Sequence, residues 1–317
     1  MRTIHIRCGD DLREKLPAAG FAGDYLSFVD PVCQGPTPFN ADELAFRRLR
    51  ARFISEAYGG FEAEALARLN TEMAGLERSL DYDQIMLWFE HDLFDQAILI
   101  RLLDWYAGHP GAHARLFLLL IDGFPGVERF IGLGQLTPEQ LQTLSGREQP
   151  VTTPQFSVAS AAWAAFRSPA PTALWQIAQG ATPALPTLAP ALLRHLEEFP
   201  WTTDGLGLTQ RLALDAIAAG AGSPGEAFRS AQAVDPTPYL GDAMFYTVLR
   251  TLASGHYPAL TKAGDRLALT DAGRAVLAGE ADWVRLNGID QWRGGVHLIG
   301  PYAAWRWDPE LTRIMAQ

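Results

Sequence analysis

The chain has 317 residues, 48% hydrophobic and 20% charged, with 36 acidic against 26 basic residues and a formal charge of −10. That length buries a large core without staples and points to two domains; the acidic balance argues against a broad footprint for nucleic acid or an anionic membrane. Two cysteines, Cys8 and Cys33, with no CxxC spacing, fit a reducing cytoplasm; no long apolar run indicates a membrane span, and the opening residues show no signal-peptide pattern.

Thr3 to Arg7 alternates and is rich in β-branched residues, which predicts a strand ending at Cys8-Gly9-Asp10-Asp11. A helix is expected over about 11–18, with Asp10 or Asp11 as its N-cap. Tyr25 to Val29 reads as a second strand, stopped at Asp30-Pro31. The loop Cys33-Gln34-Gly35-Pro36-Thr37-Pro38 leads to a helix over about 41–58, capped by Asn40 or Asp42, and to another over about 62–80. Gln84 to Phe89 is the third strand. It runs into Glu90-His91-Asp92, and a largely apolar helix follows over about 93–106. Leu116 to Ile121 is wholly apolar and predicts a strand buried on both faces. Strands alternating with helices make residues 1–150 an α/β domain with a Rossmann-like, mostly parallel sheet.

Thr137-Pro138-Glu139-Gln140 is a capping pattern opening a short helix over about 138–144, and a polar linker covers about 146–154. Residues 151–317 read as mainly helical, with helices over about 157–166, 172–179, 188–199, 210–219, from Ser223 onward, and 243–253. A hairpin is expected around Lys262-Ala263-Gly264-Asp265, then a helix over about 271–278. Three helices and a hairpin form the order of a winged helix. The third helix carries only Arg250 and starts at Asp242, whereas phosphate contacts need Lys and Arg, so DNA binding is disfavoured and a packing role preferred. In the tail, Trp283, Trp292, Trp305 and Trp307 interleave with Arg285, Arg293 and Arg306. They suit either a cationic and aromatic ligand platform or strands cementing the two domains, the preferred reading.

Three stretches are familiar together: His5-Ile6-Arg7-Cys8-Gly9-Asp10, Asp30-Pro31-Val32-Cys33-Gln34-Gly35-Pro36, and Trp88-Phe89-Glu90-His91-Asp92-Leu93-Phe94-Asp95-Gln96. In this order they resemble the bacterial family known as domain of unknown function 1835, over about residues 1–125. The resemblance implies an α/β fold and carries no activity with it. The tail, from Asn287 to Leu298 and Trp305 to Asp308, looks like the C-terminal part of longer members.

Every predicted strand end carries an acid: Asp10, Asp30, Glu90 with Asp92, and Asp122. Ligands in open parallel sheets bind beyond these carboxyl ends, although Asp also caps helices and forms turns. His91, Asp10, Asp30 and Asp92 are the catalytic candidates, with His91 as a general base oriented by an acid. Asp10, Glu90 and His91 could hold a divalent metal, without any HxH or HExxH spacing to support it; no cofactor is assigned. Cys8 is a nucleophile candidate or a core thiol. Gly9, Gln96, and Arg47 or Arg48 are the ligand-binding candidates, the arginines for a phosphate or carboxylate. Asp92 with Asp95 also reads as a capping pair. GxGxxG after Gly9, GxxxxGK[ST] and GxSxG are absent, which disfavours dinucleotide, P-loop and α/β-hydrolase readings. The expected function is an enzyme acting on a small anionic molecule at the strand ends. The alternative is a binding or regulatory module that presents its winged-helix-like region to a protein partner or DNA.

Overall fold

The structure, a computed structural model, describes residues 1–317. In chain order, the N-terminal half holds β1 Thr3–Arg7, α1 Lys15–Ala18, β2 Asp24–Ser27, β3 Gly35–Pro36, α2 Glu43–Tyr58, α3 Glu62–Ser79, β4 Gln84–Glu90, α4 Leu93–Ala107, β5 Leu116–Ile121, α5 Pro138–Gln142 and β6 Gln149–Pro150. Helices α6 Thr153–Phe166, α7 Thr172–Gln179, α8 Leu188–Leu196, α9 Leu208–Ala218, α10 Pro224–Val234 and α11 Asp242–Leu252 follow. The chain closes with β7 Leu260–Ala263, β8 Arg266–Leu269, α12 Asp271–Leu277, α13 Trp283–Asn287, β9 Ile289–Gly294, β10 Val296–Gly300, β11 Trp305–Asp308 and β12 Arg313–Ala316. No helix is long and apolar enough to cross a membrane.

The fold is α/β. The main sheet has the order β2-β1-β4-β5-β6, parallel except for the short edge strand β6. The chain steps outward from β1 to β2, then returns to the other side of β1 with β4. That reversal makes the β1/β4 gap the topological switch point, where such sheets open a crevice. Strand β4 shows why its sequence is continuously apolar: Ile85, Leu87 and Phe89 enter one core, while Met86 and Trp88 enter a second core on the opposite face. Helix α4 is buried almost all round, from Leu93 to Tyr106, because it lies between the sheet and α6 and α8. The larger core therefore runs unbroken from Ile4 to Trp307, across the expected boundary at residue 150.

The C-terminal part contains the expected three helices, the β7–β8 hairpin and α12, with Leu267 N–H bonded to the Gly222 carbonyl. Helix α11 leans on α2 of the N-terminal half. The tail joins the halves through its backbone. β9 pairs in parallel with β3, Gly35 opposite Arg293, and Trp201 bridges to Trp307. An ideal Cβ at Gly295 would lie 1.8 Å from the Arg167 carbonyl oxygen, so the tail can approach α6 only as glycine.

Two starts differ from expectation. Residues 11–14 form turns and α1 begins only at Lys15, because Asp10 bonds Arg13 and Asp11 bonds Arg7, leaving neither carboxylate to cap a helix. Helix α6 begins at Thr153, not near Ser157: Gln155 reaches back to the Thr152 N–H at 2.8 Å, and Pro154 suits the first turn.

Candidate functional site

The switch point is built around Arg7, the last residue of β1. Its buried guanidinium donates to Glu90 at 3.0 Å, to Asp11 at 3.2 and 3.3 Å, to the Trp88 carbonyl at 3.4 Å, and to Asp95. Asp95 also accepts from the Glu90 N–H at 2.9 Å and from the Cys8 thiol at 2.8 Å. Asp92 caps α4 by accepting from the Asp95 N–H at 2.8 Å, and Gln96 Nε2 donates to the Glu90 carbonyl at 2.6 Å. A buried charge needs partners of this kind. Burial opposes the charge on Arg7, but Asp95 and Glu90 among its neighbours more than offset that and hold it ionised. Burial, with Asp95 beside it, pushes Glu90 up to about 8 against the pull of Arg7. Burial also raises Asp92, again with Asp95 adding to it. The corner thus offsets crowded acids with one guanidinium and with bound protons.

Oxygens of Glu90, Asp92 and Asp95 lie within 4.8 Å of one another, close enough for a metal ion. Arg7 already bonds two of the three, so a divalent cation would sit against a guanidinium; the donor set does not suit a metal. The crevice is also filled by the chain itself. Leu133 N–H donates to Glu90 Oε2 at 2.5 Å, and Lys15 Nζ ties down the Gly134 and Leu136 carbonyls at 2.6 and 3.1 Å. An ideal Cβ on Gly132 would fall 2.3 Å from Glu90 Oε1, so this segment comes closer than any side chain allows.

The residues singled out from the sequence do not all meet here. Glu90, Asp92 and Gln96 do, and the Gly9 carbonyl takes the Tyr25 hydroxyl at 2.6 Å beside them. Asp10 points to solvent and pairs with Arg13 at 2.7 Å, so it is neither a metal ligand nor an acid of this corner. Asp30 is fully buried between Arg50 and Arg101, each at 2.8 Å; it is a strut and not an open carboxylate. His91 is half-buried, its ring 5.9 Å from Phe130, and no acid orients it as a general base; burial lowers its pKa and leaves it neutral. Cys8 is a core thiol that burial holds protonated, which removes it as a nucleophile. Arg48 is exposed and Arg47 half-buried; the inward arginine of α2 is Arg50, four residues after buried Phe46. Arg50 fastens the loop after β2 through the carbonyls of Gln34 at 2.6 Å, Pro31 at 2.9 Å and Pro36 at 3.3 Å.

That loop forms one wall of a cleft of about 690 Å³. Its other walls are α2, α11 and β9, so both halves of the chain contribute: Gln34 and Arg52 from one, Tyr239, Arg250, Trp292 and Arg293 from the other. Beneath it Arg194 bonds Glu198 at 2.6 Å and Asp235 at 2.9 Å, and Thr209 also donates to Glu198. Against its burial, Arg194 and then Arg293 hold Glu198 below the usual carboxylate range. Burial lowers neighbouring His195 to about 3, with Arg293 adding to the effect, so its imidazole is neutral. A second hollow of about 810 Å³, between α6 and α7, is lined mainly by apolar residues, with Ser168, Gln176 and Thr182 its polar side chains and no charged group. Sequence reasoning missed the cleft because its walls are far apart in the chain. It also missed Arg7, although an arginine ending a buried strand was a visible signal.

Comparison of the chain with protein-family models and with curated proteins gives no match.

Proposed function

We propose that the protein binds and acts on a small anionic molecule held in the cleft between the sheet's carboxyl edge and the C-terminal helices. The observation that carries this reading is the cleft itself. Its volume of about 690 Å³ falls in the range of small-molecule sites, and it follows the loop leaving β2, where open sheets bind ligands. Arg52, Arg250 and Arg293 face it alongside Glu56, Glu198 and Asp290, so an anion would be held by directed donors and not by net charge. The kinship with the domain of unknown function 1835 family belongs to the same proposal. Two of its motifs make the corner around Arg7, and the third, Asp30 to Pro36, makes the cleft wall.

The alternative, a winged helix reading DNA, would need α11 free. Instead α11 faces the cleft, and Arg250, its one arginine, donates to the Ala57 carbonyl. A thermal-shift screen of anionic, neutral and cationic small molecules tests the proposal, run on wild type and on Thr251→Trp, which fills the cleft from α11. An anion at about 100 times its dissociation constant should add about 2.7 kcal/mol of stability in wild type and none in the variant. No stabilising compound, or a shift that survives in Thr251→Trp, would remove the cleft as the site.

A further inference from the structure

We propose that the floor of the cleft is an anion grip made by Arg293, Tyr239 and Gln210, built for a single carboxylate or phosphate group; this rests on the cleft being the ligand site. Arg293 reaches the floor because β9 is locked to β3, Gly35 opposite Arg293. Its guanidinium makes three protein hydrogen bonds, to the Glu198 carbonyl at 2.7 Å, the Trp292 carbonyl at 3.1 Å and Gln291 Oε1 at 2.7 Å. None of these acceptors is a carboxylate. The nearby acid, Glu198, is already taken by Arg194 and Thr209. A guanidinium has five N–H donors, so one on each terminal nitrogen stays unused. A carboxylate or phosphate accepts such donors in pairs.

Two further donors line the same cavity. Gln210 is 5% exposed; its Oε1 accepts from the Gly207 N–H at 2.9 Å, and its amide nitrogen has no protein acceptor. Tyr239 is 8% exposed, with its ring 5.0 Å from the Arg194 guanidinium carbon, and its hydroxyl makes no hydrogen bond to the protein. The Gln210 amide nitrogen and the Tyr239 hydroxyl are unpaired but not sealed, so each opens to the cleft, where a bound oxygen can accept from it. The three come from three separate elements, β9, the loop before α11, and the first turn of α9, and all offer donors to the same kind of group: an oxygen-rich acceptor without hydrogens to donate. Arg194 and Arg293 are balanced by Glu198 and Asp235, so the grip works through aimed donors and not through a strong positive field. That favours one carboxylate or one phosphate over a polyphosphate.

The test titrates inorganic phosphate, succinate, pyrophosphate and neutral succinamide into the full chain, read by tryptophan fluorescence and melting temperature. The variants are Tyr239→Phe, which removes only the hydroxyl, Arg293→Lys, which keeps the charge but loses the fork, and Thr251→Trp. Saturable binding of phosphate or succinate is expected, pyrophosphate no tighter and succinamide absent. Affinity should fall about 3–10-fold in Tyr239→Phe and about 10-fold or more in Arg293→Lys. Phosphate binding without succinate binding assigns the grip to phosphates, and the reverse assigns it to carboxylates. Anion binding that Thr251→Trp blocks but both other variants leave unchanged overturns the grip and keeps the cleft. So does binding of succinamide alone, blocked by Thr251→Trp. Absence of any binding that Thr251→Trp blocks overturns both.

Discussion

Arg7 shows how one side chain can be required without touching a ligand. It is the only cation bonded to Glu90 and Asp95, which are nearly sealed from water. Arg7→Met would leave those acids without their counter-charge, and removing one partner of a buried pair costs roughly 3–5 kcal/mol; chemical denaturation should show that loss. Glu90 gives the corner a pH signature. Its folded pKa of about 8 exceeds its ordinary value of 4.5, so the folded state holds the proton more tightly. The stability it contributes is complete below about pH 4.5 and is lost as pH rises through about 8. Glu72, raised by burial to about 7, works in the same direction over an overlapping window. His195, lowered from 6.5 to about 3, works the other way and adds stability as pH rises to about 6.5. The Glu90 contribution is therefore read as a difference: the urea midpoint of wild type should fall relative to that of Glu90→Gln from pH 5 to 8. A slope identical to wild type in Glu90→Gln would mean that Glu90 is ionised throughout. Asp30 makes the complementary point. The Asp-Pro stop was legible in the sequence, but whether its carboxylate faced a ligand or two arginines was not, because both arginines lie on helices far along the chain.

At the scale of elements, the local pattern carried far. The strands β1, β4 and β5, the buried helix α4, the capped starts of α5 and α10, and the β7–β8 hairpin all rest on short-range periodicity, caps and turn residues. Short-range rules failed where a side chain had a second partner within reach, as when Arg7, four residues before it, took Asp11 from the first helix. The tail strand is held by proximity: Gly294, at φ 60°, and Gly295 pass against the carbonyls of Phe166 and Arg167. Gly295→Ala should force β9 away from α6 and cost about 1–3 kcal/mol. It should also weaken any ligand of the cleft, since Arg293 rides on the same strand. A thermal melt and a phosphate titration on that variant check both effects.

For the whole molecule, the continuous core has a thermodynamic consequence. Helix α4 is covered by the sheet on one side and by α6 and α8 on the other, so neither half buries it alone. Unfolding should be a single transition, with coincident circular dichroism and tryptophan fluorescence curves. A fragment of residues 1–150 should expose the α4 face that α6 covers and lose cooperative folding. Two separated transitions, or a stably folded fragment, would show that the halves are independent.

Composition, periodicity and turn chemistry are local properties, and by themselves they determined that this chain is α/β, where β1, β4 and β5 end, and that acids follow those ends, whereas β2 stops at Ser27, short of the expected Val29. Which strand lies beside which depends on contacts between distant residues. Only the tertiary structure set β1 against β4, placed Arg7 among Glu90, Asp92 and Asp95, and drew Gly132 to Leu136 over the crevice that the strand ends suggested. The same long-range pairing, β3 with β9, brought residue 35 beside residue 293 and made a cleft from walls that share no sequence neighbourhood. A site composed of such walls leaves no local pattern, because the free energy that assembles it is the burial of the core between them.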